Sequence, residues 1–329
     1  MITLAPLLQA FFADRLQKQL RASPHTIASY RDTFKLLLRF AKERLGKEPS
    51  DLLVADLDAP LIGTFLDHLE TERKNIVRTR NARLAGIRSF FHFAATSLPD
   101  HLGQIQRILA IPQKRAERKL VSFLTRSESD ALLAAPDPTT WIGRRDSTLL
   151  AVALDSGFRV SELIGLRARD TVLGTGAHVR CLGKGRKERC TPLSPKTAAL
   201  LREWLREQNA QPDDPVFPSQ RRGPLSRDAV ERLVEKHADR ARATCPSLQS
   251  KHVTPHVLRH TLAIDLLRRG NDQTIIALYL GHESPETTQI YLAADLTLKE
   301  RALARTAPPG IGRRRFRPGD ALLAYLNSL

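Results

Sequence analysis

The sequence predicts a mainly α-helical chain with a small β-sheet, an α+β protein in two bodies, and three observations carry that prediction. Apolar residues recur at helical spacing through nearly all of the first 97 residues. Past them, one stretch, HVRCLGKGRKERCTPL at 178–193, reads as two β-rich arms around a Gly-Lys-Gly turn with helices on either side. Between the helical body and this mixed one lies a segment broken by proline and rich in charge, which suits a linker.

In chain order, the first body spans 1–98. Ser23 followed by Pro24 is an N-cap with proline at the first helical position, and Ile27, Tyr30, Phe34, Leu37 and Leu38 then trace one apolar face. A second face runs through Leu61, Phe65 and Leu69, and a third through Leu84, Ile87, Phe90 and Phe91. Between these positions sit Arg73, Lys74 and the four arginines expected to touch phosphate, Arg78, Arg80, Arg83 and Arg88. Residues 99–119, with Pro99, Pro112 and the run KRAERK, are the expected linker. The mixed body covers 120–306, and 307–329 form a basic tail, RRRFRPGDALLAYLNSL at its end. Leu322, Leu323, Leu326 and Leu329 make an apolar stripe too short to hold a helix alone, so it is expected to dock on another subunit.

Charge narrows the partner. Lys and Arg number 52 against 35 Asp and Glu, a formal charge of +17 spread along the chain. Such a chain meets a polyanion, and nucleic acid is the expected partner. Nothing approaches the ~20 apolar residues of a spanning helix, and no basic amphipathic anchor is present, so a membrane is not expected. The opening MITLAPLLQAFFADR lacks the basic start and small-residue cleavage site of a signal peptide. Cys181, Cys190 and Cys245 are odd in number and lack metal-ligand spacing, which points to a reducing, cytoplasmic setting. Cys181 and Cys190 flank the hairpin and could face each other, although free thiols are the better expectation.

The last quarter carries chemistry. Breaking a phosphodiester by transesterification needs a nucleophile, cationic donors for the non-bridging oxygens and an acid for the leaving oxygen. Tyr291 is the candidate nucleophile, on a helix opened by Ser284 and Pro285. Its phenol, with a reference pKa of about 10, needs a base or a positive field. His256 and Arg259 stand three apart just inside a helix opened by Thr254 and Pro255, near amides that favour an anion. His256 can take the phenolic proton or donate to an oxygen, and Arg259 can fork two donors onto a phosphate. Gly281 ends the next helix and holds His282 on a tight corner. Upstream, Arg159 follows a Ser-Gly break at a helix start with Glu162 one turn on to orient it, and Lys184 sits between two hairpin glycines. Each of these residues alone is more often a core or surface group; together they make a site.

The order Arg159, Lys184, His256-x-x-Arg259, His282, Tyr291, in the contexts GFRVSELIGL, GKGRKER, HVLRHTLA and LGHESPETTQIY, resembles the tyrosine recombinase family, also called phage integrases, and is most similar to its Xer-type branch. TIASYRDTFKLLLRF and RLAGIRSFFHFA resemble that family's core-binding domain, so the similarity covers nearly the whole chain. It implies a SAM-like helical core-binding domain and a catalytic domain of the DNA breaking-rejoining type, closing as a C-shaped clamp on double-stranded DNA. It further implies that Arg159 and Arg259 clamp the scissile phosphate, Lys184 is the general acid, His256 an acid or base, His282 a phosphate donor, and Tyr291 the nucleophile of a 3′-phosphotyrosyl link. Glu162 matches the acidic support position. The resemblance implies a synapse of four recombinase subunits, identical or paired, exchanging a C-terminal helix. No cofactor is expected: one phosphate ester replaces another, and the sequence offers no carboxylate cluster for magnesium. The expected role is integration, excision or transposition of a mobile element. The alternative is chromosome or plasmid dimer resolution, with a type IB topoisomerase or a non-catalytic DNA-binding regulator further behind.

Overall fold

The structure, a computed structural model, describes residues 2–116, 121–182, 188–281 and Tyr291. Two compact units meet at Arg118 and Lys119 in the chain.

The first unit is helical. Helix α1 (Leu4–Ala10) runs on into a π-helical stretch, Phe11–Gln19, and is followed by α2 (Pro24–Leu45), α3 (Ala59–Thr71), α4 (Val77–Ala95) and α5 (Leu102–Leu109). The Ser23 hydroxyl accepts from the Thr26 amide at 3.1 Å, as its place before Pro24 requires. The expected faces pack inward: Phe34 and Leu37 of α2, Phe65 and Leu69 of α3, and Leu84, Ile87, Phe90 and Phe91 of α4 are all buried. Phe90 meets Phe11 and Phe34 edge-on, at 5.5 and 5.3 Å between ring centroids. Gly86 lets α4 close on Tyr30, whose ring would lie 3.1 Å from an added Cβ.

Two expectations change here. The segment 99–119 is not all linker, because α5 buries Ile105 and Ile108 in this core, beyond the boundary placed at 98. Arg80 and Arg88 explain how α5 is held. Arg88 Nη2 donates to the carbonyls of Leu109 and Ile111, at 2.8 and 2.5 Å, and Arg80 Nη1 donates to Pro112 O at 3.0 Å. Both guanidinium groups therefore satisfy the carbonyls that a helix end leaves without partners, rather than standing free for phosphate. Arg78 is exposed, and Arg83 is half-buried.

The second unit surrounds a small antiparallel sheet with helices. Its elements are α6 (Arg126–Ala134), α7 (Trp141–Ser156), α8 (Val160–Gly165), β1 (Thr171–Val172), β2 (His178–Leu182), β3 (Glu188–Pro192), α9 (Pro195–Gln208), α10 (Arg227–Ala241), α11 (Pro255–Arg268) and α12 (Gln273–Leu280). The sheet order is β1-β2-β3, with the two-residue β1 joining the expected hairpin. The register pairs Cys181 with Arg189 and Arg180 with Cys190, so the two thiols are not opposite each other, and all three cysteines are free. Because strand side chains alternate, Arg189 and Thr191 turn toward the body and Glu188 and Cys190 toward solvent.

The core of this unit joins Leu149, Leu150, Phe158, Leu163, Val179, Leu201, Trp204, Val216 and Val234. Two buried carboxylates of this unit are paired. Asp146 on α7 accepts from Arg145 Nη2 at 2.7 Å and lies 2.8 Å from His237 Nε2 on α10. Glu128 on α6 accepts from Lys251 at 2.6 Å and Ser247 at 2.7 Å, tying α6 to the segment that enters α11. Among the described residues no helix is long and apolar enough to cross a membrane.

Candidate active site

Three arginines from three elements converge on the C-terminal end of α12. The convergence starts with two left-handed glycines. Gly157 ends α7 at φ 60°, and an added Cβ there would stand 2.7 Å from Leu280 and 2.8 Å from Leu262. The chain thus turns hard into α8, with Arg159 as N-cap. Glu162, one turn on, closes the cap from its own side: it accepts from the Arg159 amide at 2.8 Å and from Arg159 Nη1 at 2.9 Å. Arg159 Nη2 then donates to Gly281 O at 3.0 Å.

Arg259 approaches from α11, which Thr254 and Pro255 open as expected. Its side chain is buried, and Nη1 donates to Gly157 O at 2.5 Å while Nη2 donates to Leu280 O at 2.6 Å. These bonds use two of its five N–H groups. Burial first, and then the charge of Arg159, pull its pKa down to about 10, which leaves it protonated at neutral pH.

Arg189 is the third, and the sequence reading missed it. From β3 its Nη2 donates to Glu162 at 3.0 Å and its Nη1 donates to Leu280 O, with the guanidinium 5.1 Å above the Phe158 ring. Glu162, itself buried, is therefore shared between Arg159 and Arg189. Gly281 takes φ 66°, and a Cβ there would collide with the Arg189 guanidinium, so this corner needs glycine for both backbone and space.

The charge count explains what such a cluster is for. Three guanidinium groups face one carboxylate and the C-terminus of α12, which contributes about half a negative charge. An excess of about 1.5 positive charges remains, enough to hold one phosphodiester anion.

Tyr291 is buried at 1% exposure among Ala263, Ile264, Leu267, Ile276 and Leu280. Its hydroxyl lies 3.0 Å from Nδ1 of His260. Burial raises the phenol pKa, and the charges of Arg259 and Arg159 oppose that rise. His260, the second residue missed in the sequence, is one helical turn beyond His256, and the two rings lie 6.4 Å apart. The helical repeat was the available signal, since residues four apart share a face. Burial, followed by His256 and Arg259, lowers the His260 pKa to about 4. His256 itself is exposed while Arg259 is buried, so these two do not present equally. Desolvation and then Arg259, Arg227 and Arg159 hold its pKa below the usual value.

Arg159, Glu162, Arg259 and Tyr291 are thus gathered in one unit. Lys184 and His282 lie outside the described residues, as do the Ser284–Pro285 helix start and the tail with its leucine stripe. Among the described residues no three His, Cys, Asp or Glu side chains gather where they could hold a metal ion.

Residues 122–297 match the phage integrase family, and residues 9–97 match the N-terminal SAM-like domain of phage integrases. The chain belongs to the phage integrase family of tyrosine recombinases. Members are site-specific DNA breaking and rejoining enzymes, and the fold expected from the sequence is theirs. This recombinase is 57% identical over 327 residues to a putative integrase/recombinase, y4rC, of Sinorhizobium fredii, covering 99% of this chain and 98% of that one. It is 32% identical over 298 residues to the tyrosine recombinase XerC of Pelobacter propionicus, covering 88% and 92%. Among solved structures, its fold matches the Tn1549 transposon integrase in complex with transposon right end DNA, with a TM-score of 0.68 at 14% identity over 93% of this chain and all of that one. It also matches the XerH recombinase bound to its difH substrate in a post-cleavage complex, with a TM-score of 0.66 at 22% identity over 86% and 80%.

Proposed function

We propose that this recombinase cuts and rejoins double-stranded DNA at specific sites through a 3′-phosphotyrosyl link on Tyr291, as one of four subunits on two paired sites. The observation that carries this reading is the convergence of Arg159, Arg189 and Arg259 at the α12 terminus, with Tyr291 in the field of two of them. Arg159 and Arg259 hold the scissile phosphate and take up the charge that develops on its oxygens. His282, next to Gly281, donates to the same phosphate, His256 acts as an acid or base at the site's edge, and Lys184 protonates the leaving 5′ oxygen. The phosphate ester is exchanged rather than hydrolysed, so the bond energy is kept in the enzyme link and returned on rejoining. Arg78 and Arg83 contribute phosphate contacts from the first unit. That XerH and the transposon integrase were each captured on DNA supports the choice of partner.

The biological role follows the relative at 57% identity, named a putative integrase/recombinase, and is integration, excision or transposition of a mobile element. Dimer resolution is the second reading, favoured by the relatives named XerC and XerD at 32% identity. The cleavage reading is tested by incubating the full chain with a suicide DNA site that traps the covalent intermediate. A protein-DNA adduct on a denaturing gel is expected from the wild type and none from Tyr291→Phe; an adduct that survives the substitution refutes the nucleophile.

A further inference from the structure

We infer that His260, rather than His256, is the group that takes the proton of the Tyr291 phenol as it attacks. The inference rests on Tyr291 being the nucleophile and adds a catalytic residue to that site. Two facts of geometry favour it. His260 Nδ1 stands 3.0 Å from the Tyr291 hydroxyl, within the range in which a base abstracts a proton directly. Its ring centroid is 5.4 Å from the phenol ring, whereas His256 is one turn nearer the helix start and exposed to solvent, where it suits contact with the DNA.

The environment supplies a proton acceptor. His260 is half-buried, and burial together with its helix neighbours His256 and Arg259 keeps the imidazole neutral. A neutral ring with its proton on Nε2 offers the Nδ1 lone pair to the phenol. The arriving phosphodiester brings a negative charge to the Arg159 and Arg259 guanidinium groups. That charge offsets part of the positive field and raises the basicity of His260 at the moment it is needed.

The step balances without a co-reactant. The phenol oxygen forms a bond to phosphorus, the bond from phosphorus to the 5′ oxygen breaks, and the phenol proton moves to His260 Nδ1. The 5′ oxygen takes its own proton from the acid assigned above to Lys184. On rejoining, the 5′ hydroxyl attacks phosphorus and gives its proton back to Lys184, the bond from phosphorus to the Tyr291 oxygen breaks, and the proton on Nδ1 returns to that oxygen.

A base is needed only while the nucleophile is protonated, and this separates a catalytic role from a packing one. Adduct formation on the suicide site is timed for the full chain with His260, His260→Asn and His260→Gln, each with natural tyrosine at 291 and with a fluorinated tyrosine that ionises near neutral pH. With natural tyrosine both substitutions are expected to slow adduct formation by about 10²–10³-fold. With the fluorinated residue the loss is expected to shrink to within about tenfold, as the acidic phenol no longer requires a base. Equal losses with both nucleophiles, or no loss with either, overturn the assignment. Should both variants lose site binding in a gel shift, the decision passes to the intact histidine. In ¹⁵N-histidine-labelled full chain, the Nδ1 resonance of His260 is expected to move on Tyr291→Phe, and an unmoved resonance overturns the inference. An adduct formed by Tyr291→Phe would instead refute the nucleophile itself, so the two failures are distinct.

Discussion

Replacing Glu162 by Gln removes the one carboxylate that stands between two of the converging arginines. In the native site this buried group accepts from Arg189 Nη2 at 3.0 Å, Arg159 Nη1 at 2.9 Å and the Arg159 amide at 2.8 Å. Glutamine keeps the shape and one acceptor oxygen, which at the Oε2 position can hold both the Arg159 amide and Arg189 Nη2 but carries no charge. Its NH2 must then face a guanidinium, donor against donor. The Arg189 side chain is 10% exposed, so losing its charged partner costs about 1.5–3 kcal/mol. The Arg159 side chain is 32% exposed, and solvent screening reduces its share to about 0.5 kcal/mol. The total of about 2–3.5 kcal/mol corresponds to a fall of about 4–14 °C in the melting midpoint of a unit this size. Adduct formation is expected to fall as well, because both arginines move off the α12 terminus. The checks are calorimetry and suicide-site cleavage on the full chain, with Glu162→Asp as a partner variant that keeps the charge but shortens the reach. A Glu162→Gln protein that melts within 1 °C of wild type, measured in the same buffer, and cleaves at the same rate would refute the shared-carboxylate account.

Four further outcomes are expected. Gly281→Ala should cost more stability than Gly46→Ala, since both sit near φ 66° but only Gly281 meets a side chain there; the common backbone cost is about 1–2 kcal/mol, and equal melting midpoints would count against the crowding by Arg189. Arg88→Ala should lower the midpoint of the first unit, at a stability cost of about 1.5–3 kcal/mol from its lost bonds to Leu109 and Ile111. Arg78→Ala should leave the midpoint alone and reduce the salt dependence of DNA binding by about one ion; the reverse pattern would reassign both arginines. Burial pushes the Glu128 carboxyl up, but Lys251, the Thr125 amide and Ser247 together hold it below the ordinary value. The depressed folded pKa stabilises the native state above the unfolded carboxylate value of about 4.3, and that contribution is lost as pH falls through the folded value. Glu128→Gln should therefore flatten the acid limb of a stability-pH profile, and an unchanged slope would exclude this network as its source.

How much could be read in advance depended on distance along the chain. The cap of Ser23, the Ser-Gly break before Arg159, the left-handed Gly281 and the Arg159–Glu162 pair were legible because each is settled within a few residues. The same holds for the amphipathic faces of α2, α3 and α4, whose period is the helix's own. Arg189 was not legible, since its partners Glu162 and Leu280 lie 27 and 91 residues away and its direction follows from one strand register. A slip of a single residue would have turned Cys190 inward in its place. Arg80 and Arg88 looked like the neighbouring surface arginines until α5 placed its carbonyls beside them.

The sequence by itself determined the chemistry available: its order of Arg, Lys, His, Arg, His and Tyr, the glycines that permit sharp turns and the helices that carry them are covalent and local facts. Tertiary structure decided which charges are spent and which remain. It put Arg80 and Arg88 to work on helix-end carbonyls, added Arg189 to the cluster, and set His260 rather than His256 against the Tyr291 hydroxyl. The physical reason is that a donor's role depends on which acceptors packing brings within about 3 Å, and packing joins residues that the chain keeps far apart.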